Sequence, residues 1–343
     1  MTTATLSGAF ASAADFTAAL GALTDPDPAA IAAARARQGQ LTKPPGSLGR
    51  LEDLAVFLAG WQGTEKPSLQ RGRTAIFAGN HGVTVHGVSA FPAEVTVQMV
   101  ANFAAGGAAI NQLAKAAGLE LQVVPLDLDT PTADFTQGPA MSEAECLAAI
   151  NAGAATVDPG LQLLTVGEMG IGNTTSAAAL AAISFGGNAA DWVGAGTGVD
   201  DAGLVRKRAV VEQALTLHAP AAGSAFDKLA RVGGREIAAI AGAVLRARQL
   251  RIPVLLDGFI TCAAIAPLAV EAPGITAHCL AGHCSAEQGH GRMLGHLGLE
   301  PLLRLDMRLG EGSGAAVAAH ILRSALAAHN GMATFAEAGV ADG

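Results

Sequence analysis

From residue 73 onward, short apolar runs alternate with longer stretches of helical periodicity. Runs at 74–78, 121–126, 161–166, 192–195, 253–256, 275–279 and 302–305 each have strand length and are bounded by Gly, Pro or Asp. Between them lie helical patterns over about 93–117, 175–184, 203–218 and 235–249. Short buried strands alternating with helices predict an α/β fold with a doubly wound, mostly parallel sheet. Two regions stand outside the alternation. Residues 8–38 are Ala-rich and helical, broken at Asp25-Pro26-Asp27-Pro28, and a helix resumes over 51–61 after a Pro/Gly-rich stretch. The tail beyond Glu311 is again Ala-rich. The pattern predicts that the two ends pack together, giving a substrate-binding unit over 70–312 and a small helical unit from 1–69 with 313–343.

Composition narrows the class. Half of the 343 residues are hydrophobic, yet only 4% are aromatic and Tyr is absent, so the core is built from Ala, Leu, Val and Ile. The formal net charge of −8 gives no bulk attraction for nucleic acid or an anionic membrane. Residues 1–16 carry no basic residue ahead of an apolar run and do not read as a secretory signal. The longest strongly apolar stretch, 258–270, contains Pro267 and is well short of the ~20 residues of a membrane span. Four cysteines in so long a chain are no disulfide framework, so a reduced cytoplasm is the expected compartment.

In doubly wound sheets, ligands bind outside the carboxyl ends of the strands. Nearly every glycine-rich stretch here falls at such an end. Gly170-Ile171-Gly172-Asn173-Thr174-Thr175 opens a helix, where backbone N–H groups and the helix dipole suit an anion such as phosphate. The same residue types also make an ordinary capped turn. Thr175 stands where a dinucleotide fingerprint needs its third Gly, and no Gly-Lys pair exists for a Walker loop, so NAD and ATP readings are weak. The next loop, with Gly194, Gly196 and Gly198, has the wrong spacing as well, and leads to Arg206-Lys207-Arg208. Lys207 is a candidate phosphate partner there; a solvated helix face is the plainer alternative.

Two carboxylates have the best placement for chemistry. Glu168 follows Gly167 at a strand end, and Glu311 sits between Gly310 and Gly312, just before the last helical pattern. If their loops converge, like charge and partial burial raise both pKa values toward the range useful to a general base. His81, after Gly79-Asn80, is either pocket lining or a structural histidine. Asp257 is either a helix cap or a site carboxylate. His278-Cys279 and His283-Cys284 match no standard zinc spacing, so no metal site is assigned.

Six segments, in order along the chain, carry a specific resemblance: KPPGSLGRLEDLA (43–55), GNHGVTVHGVSAFPAEVT (79–96), GEMGIGNTTSAAAL (167–180), GAGTGVDDAGLVRKR (194–208), PVLLDGFITCAAI (253–265) and LDMRLGEGSGAA (305–316). With these the chain resembles the nicotinate-nucleotide–dimethylbenzimidazole phosphoribosyltransferase family. The resemblance implies a Rossmann-like large domain and a small helical domain from both termini. It implies a homodimer whose partner subunit helps close the cleft. It also implies that nicotinate mononucleotide gives its 5-phosphoribosyl group to a benzimidazole nitrogen, with no metal or cofactor.

Carried over by motif, Glu311 takes the place of the catalytic base and Glu168 that of the second site carboxylate. Gly170, Gly172, Asn173, Thr174, Gly196 and Lys207 take the phosphate and nucleotide roles, with Arg308 near a phosphate or the nicotinate carboxylate. Phe91, Met99 and His81 fall at the base pocket. Two positions depart from the family pattern: Asn80 stands where many relatives carry Asp, and Phe91 where some carry a small polar residue. Phe91 leaves open which base is accepted: dimethylbenzimidazole, another benzimidazole, adenine or a phenol. Outside catalysis, the alternative is a nucleotide-binding protein on the same fold.

Overall fold

The computed structural model describes residues 10–196 and 198–341. Outside them lie residues 1–9, which include the start of the helical stretch expected from residue 8, Thr197 of the glycine loop, and residues 342–343. Six strands form one all-parallel sheet: β1 (Gly72–Ala78), β2 (Leu119–Pro125), β3 (Leu163–Met169), β4 (Val254–Leu256), β5 (Cys279–His283) and β6 (Pro301–Leu303). Their order is β2-β1-β3-β4-β5-β6. The chain leaves β1 toward one edge for β2 and returns to the other side for β3. The carboxyl ends of β1 and β3 therefore flank the topological switch point, where doubly wound sheets ordinarily bind their ligands.

Side chains alternate across the sheet, and each face has its own apolar cluster. Ile76, Leu163 and Leu255 point to one face and pack with Leu54, Leu58, Ile110 and Leu322. The helices on that face include Arg50–Gln62, Ala109–Ala116 and Ser313–Gly331. Phe77, Leu164, Val166 and Leu256 point the other way, toward Ile150, Leu180, Ile240 and Ile265. With so few aromatics, close approach of backbones replaces large side chains. Helices Glu143–Ala154 and Arg235–Gln249 cross with Gly153 and Gly242 at the contact. A Cβ on Gly153 would lie 1.8 Å from the Ala239 carbonyl oxygen, and one on Gly242 2.0 Å from that of Ile150.

The two ends of the chain meet. Arg37 donates to the carbonyls of His329, Asn330 and Met332, and Leu41 pairs with Thr334 in an antiparallel bridge. The C-terminal helix is at the same time a layer of the main sheet, since Ala315, Ala319 and Leu322 pack in the cluster that holds Ile76 and Leu255.

Three expected elements differ. Residues 192–195 form no strand: Ala189–Trp192 is a short helix, capped by Asn188 and Asp191, and Trp192 is buried. A bulky apolar pair beside a glycine loop looks like a strand even when it closes a helical turn. The run at 275–279 is largely a 3-10 helix, Pro273–His278, with β5 beginning at Cys279. The His278 ring nitrogens lie 2.9 and 3.0 Å from the carbonyls of Ile275 and Val244, and the one N–H of the neutral ring ties the turn to one of them. The pattern at 93–117 splits into Glu94–Ala105 and Ala109–Ala116 at Gly106, whose φ of 79° ends the first helix. Among the described residues, no helix is long and apolar enough to cross a membrane.

Candidate active site

The ends of β3, β4 and β5 and the loop after β6 surround a cleft partly open to solvent. Its lining includes Glu168, Gly170, Asn173, Thr174, Gly196, Arg308 and Gly310. Glu168 lies near the end of β3, opposite Phe77 of β1. It is buried, and the Asn173 side-chain amide donates to its Oε2. Burial pushes its carboxyl up to about 8; the charges of Asp257, Glu236 and Glu311 push the same way, and the Asn173 bond opposes them.

Glu311 follows Gly310, where a Cβ would come 2.5 Å from Glu168 Oε1, so the loop runs directly over that carboxylate. Glu311 adopts φ 61°, in the left-handed region a branched or long side chain rarely occupies. Its side chain is buried, Oε2 has no hydrogen-bond partner, and burial raises its pKa, partly offset by the Ile110 backbone N–H. Glu311 thus stands behind the cleft wall, toward the start of helix Ala109–Ala116. A buried carboxylate with a free oxygen and a raised pKa is suited to taking a proton.

The anion cradle lies on the other side. Gly172 (φ 96°) begins helix Asn173–Phe185 with no side-chain cap; the Asn173 and Thr175 N–H groups bond the Gly170 and Gly172 carbonyls, and the positive end of the helix dipole faces the cleft at Asn173 and Thr174. The Lys207 ammonium donates to Thr174 Oγ1 and to the Gly194 carbonyl, each at 2.9 Å. Lys207 is 1% exposed, and burial lowers its pKa to about 8 against the opposing pull of Glu287. It reaches the cleft through Thr174 and Gly196 rather than lining it. A Cβ on Gly196 would lie 2.9 Å from Thr174 Oγ1 and 3.2 Å from Lys207 Nζ. Arg308 is exposed at the rim.

The three residues expected at a base pocket are not brought into the cleft lining. His81 is 1% exposed and its Nε2 pairs with Glu236 Oε1 at 2.5 Å, beneath the Gly172 turn. Met99 is half-buried in the apolar cluster on the Ile110 side. Phe91 is 49% exposed on the loop before helix Glu94–Ala105. That helix is nevertheless tied to the site, because Thr96 Oγ1 accepts the Ile171 N–H at 3.1 Å.

The model of the family named Phosphoribosyltransferase matches residues 23–340. The chain is 70% identical to the nicotinate-nucleotide–dimethylbenzimidazole phosphoribosyltransferase of Novosphingobium aromaticivorans, over 97% of this chain and 99% of that one. The chain belongs to the nicotinate-nucleotide–dimethylbenzimidazole phosphoribosyltransferase family. It is also 61% identical to the protein of that name from Ruegeria pomeroyi, over 96% and 98% of the two chains. The crystal structure of CobT from Thermus thermophilus superposes with a TM-score of 0.86 at 45% identity, covering 92% of this chain and 100% of that one.

Within this family fold, several site residues escaped the reading of the sequence. Glu236, fully buried in the first turn of helix Arg235–Gln249, supports His81. Glu287 lines the cleft and accepts the Gly196 N–H at 3.2 Å. Phe259, Ile260, His283 and Ser285 also line the wall. Asp257, left open between cap and site, accepts the N–H groups of Gly312 and Ala315 at 3.1 and 3.0 Å. Among the described residues, no three His, Cys, Asp or Glu side chains gather as a metal site.

Proposed function

We propose that the protein transfers the 5-phosphoribosyl group of nicotinate mononucleotide to 5,6-dimethylbenzimidazole, releasing nicotinate and α-ribazole 5′-phosphate for the lower ligand of cobalamin. The observation that carries this reading is the 70% identity, over nearly the whole chain, to a protein of that name. The site supports it. The helix start at Asn173, with Thr174 and Lys207, suits the 5′-phosphate. Glu168 faces the ribose, and Arg308 at the rim suits a carboxylate or phosphate.

The bond between C1′ and the pyridinium nitrogen breaks with its electron pair going to nitrogen, so nicotinate leaves with a neutral ring nitrogen and needs no acid. One benzimidazole nitrogen forms the new bond to C1′. The proton on the other nitrogen passes to Glu311, whose raised pKa and free Oε2 match that task. Holding both substrates at one C1′ contributes at least as much as the base. Phe91 and Met99 border the acceptor once the cleft is closed by a partner subunit, in a cytoplasmic homodimer. Burial of Cys146, Cys262 and Cys279 as free thiols supports a reducing compartment. The 70–312 unit carries the site; the unit from 1–69 with 313–343 is held together by the Arg37 and Leu41 ties and braces the first through Arg50, which donates to the Pro301 carbonyl, and Arg323, which donates to those of Ala117 and Gly118.

The test is to incubate the protein with nicotinate mononucleotide and dimethylbenzimidazole and to separate the products. Free nicotinate and α-ribazole 5′-phosphate in equal amounts are expected; absence of both rejects the reading. Competition with adenine and phenol in the same assay fixes the acceptor.

A further inference from the structure

We infer that Asp257 is a positioning residue for Glu311: its carboxylate ties the end of β4 to the Glu311 loop and thereby sets where the base stands. The inference rests on the function proposed above.

Helix Ser313–Gly331 begins at Gly312, which has φ 76° and no side chain to cap the first turn. A helix ordinarily takes its cap from the N-cap residue itself. Here the acceptor comes from 55 residues away in sequence. Asp257 follows β4 directly, and its Oδ2 and Oδ1 accept the N–H groups of Gly312 and Ala315. These two donors bracket the turn immediately after Glu311. Both side-chain oxygens act as acceptors, so the turn calls for a side chain that presents two acceptor oxygens. Burial raises the Asp257 pKa to about 7, while the N–H groups of Ala315, Gly314 and Gly312 hold it down. The titratable groups that face it are Glu311 on the loop, Glu168 on β3, Cys262 in the helix after β4 and His283 on β5, whose Nε2 is 3.6 Å away.

A second surface confines the loop. β3 lies beside β4, and its Gly167 packs so closely that a Cβ there would stand 2.4 Å from the Gly312 nitrogen and 2.6 Å from the Glu311 carbonyl carbon. Gly167 limits how near the loop can come; Asp257 is the attractive contact that holds it there. Glu311 has an unfavourable φ, so a nearby anchor is needed to keep that conformation populated. A placement error of about 1 Å at a reacting group can cost roughly 100-fold in rate.

The experiment compares wild type with Asp257→Asn by steady-state kinetics and thermal melting, using nicotinate mononucleotide and dimethylbenzimidazole. An amide has the same shape but presents one N–H₂ to a backbone N–H. The variant is expected to remain folded, to keep its KM for nicotinate mononucleotide within about threefold, and to lose kcat by roughly 10- to 100-fold. A kcat within about twofold of wild type overturns the inference. So does a matched rise in KM with unchanged kcat, since that reports binding alone. If the amide variant does not fold, Asp257→Ser keeps one acceptor in a smaller side chain and is read in the same way. Failure of both variants to fold makes Asp257 a residue of the fold alone and rejects the positioning role. An inactive wild type instead rejects the proposed reaction, so the two failures are distinct.

Discussion

The Lys207 ammonium donates to the Thr174 hydroxyl across 2.9 Å, joining a buried cation to the first turn of the helix that faces the cleft. Burial has already removed most of its hydration, and that loss makes the charge more effective toward an anion. Lys207→Met keeps the stem and removes the charge. It is expected to raise KM for nicotinate mononucleotide by roughly 10- to 100-fold with a smaller change in kcat. Nicotinate riboside, which lacks the phosphate, should show equal KM values in wild type and variant. A variant KM that rises equally for both substrates would remove the phosphate role.

Glu311→Gln preserves size and the backbone but cannot take a proton. We expect it to fold, to bind nicotinate mononucleotide as wild type does, and to release nicotinate about 10²–10⁴ times more slowly in the presence of the acceptor. Product analysis under saturating substrates checks this; turnover at the wild-type rate would place the base elsewhere.

Buried carboxyls give the stability a definite pH slope. Glu168 rises from an ordinary 4.5 to about 8, and Asp257 from 3.8 to about 7. The folded state therefore holds these protons more tightly than the unfolded chain does. That stabilisation is complete below the ordinary values and is lost as pH rises through about 7 and then about 8. The melting temperature should fall between about pH 5 and about pH 9, and Glu168→Gln should fall less steeply over the same span. Equal slopes in calorimetry of the two proteins would count against the raised pKa.

The crossing of helices Glu143–Ala154 and Arg235–Gln249 tests the Ala-rich core. Gly242→Ala places a methyl 2.0 Å from the Ile150 carbonyl oxygen, a backbone atom that cannot rotate away. A loss of about 1–3 kcal/mol, or more, in urea unfolding is expected. The helix propensity of Ala pulls the other way by about 1 kcal/mol, so an unchanged midpoint would mean that the helices can separate freely.

The sequence made some of this fold legible and hid the rest for identifiable reasons. β1 and β3 and the loops at their ends were readable because buried parallel strands are continuous apolar runs stopped by glycine, whereas β2, the half-exposed edge strand, showed only through its Val123-Val124 pair before Pro125. Glu168 and Glu311 stood out because a carboxylate beside glycine has few structural uses. Glu236 did not, because an acid in the first turn of a helix is what the helix dipole favours anyway. Glu287 lies in a polar stretch before helix His290–Leu297, with no strand-end signature of its own. Asp257 was visible as a residue, but its partners are 55 and 58 positions away, and no local pattern encodes that pairing. The same holds for the His81–Glu236 pair, separated by 155 positions.

The left-handed backbone at Glu311 has a consequence for anyone who improves this protein by selection. Glycine removes the side-chain strain at φ 61°, and it also removes a buried carboxylate whose burial is unfavourable when ionised. A library ranked by heat resistance alone would therefore enrich Glu311→Gly, and the winners would be durable and inert. Thermal shift and turnover measured side by side on that variant should move in opposite directions.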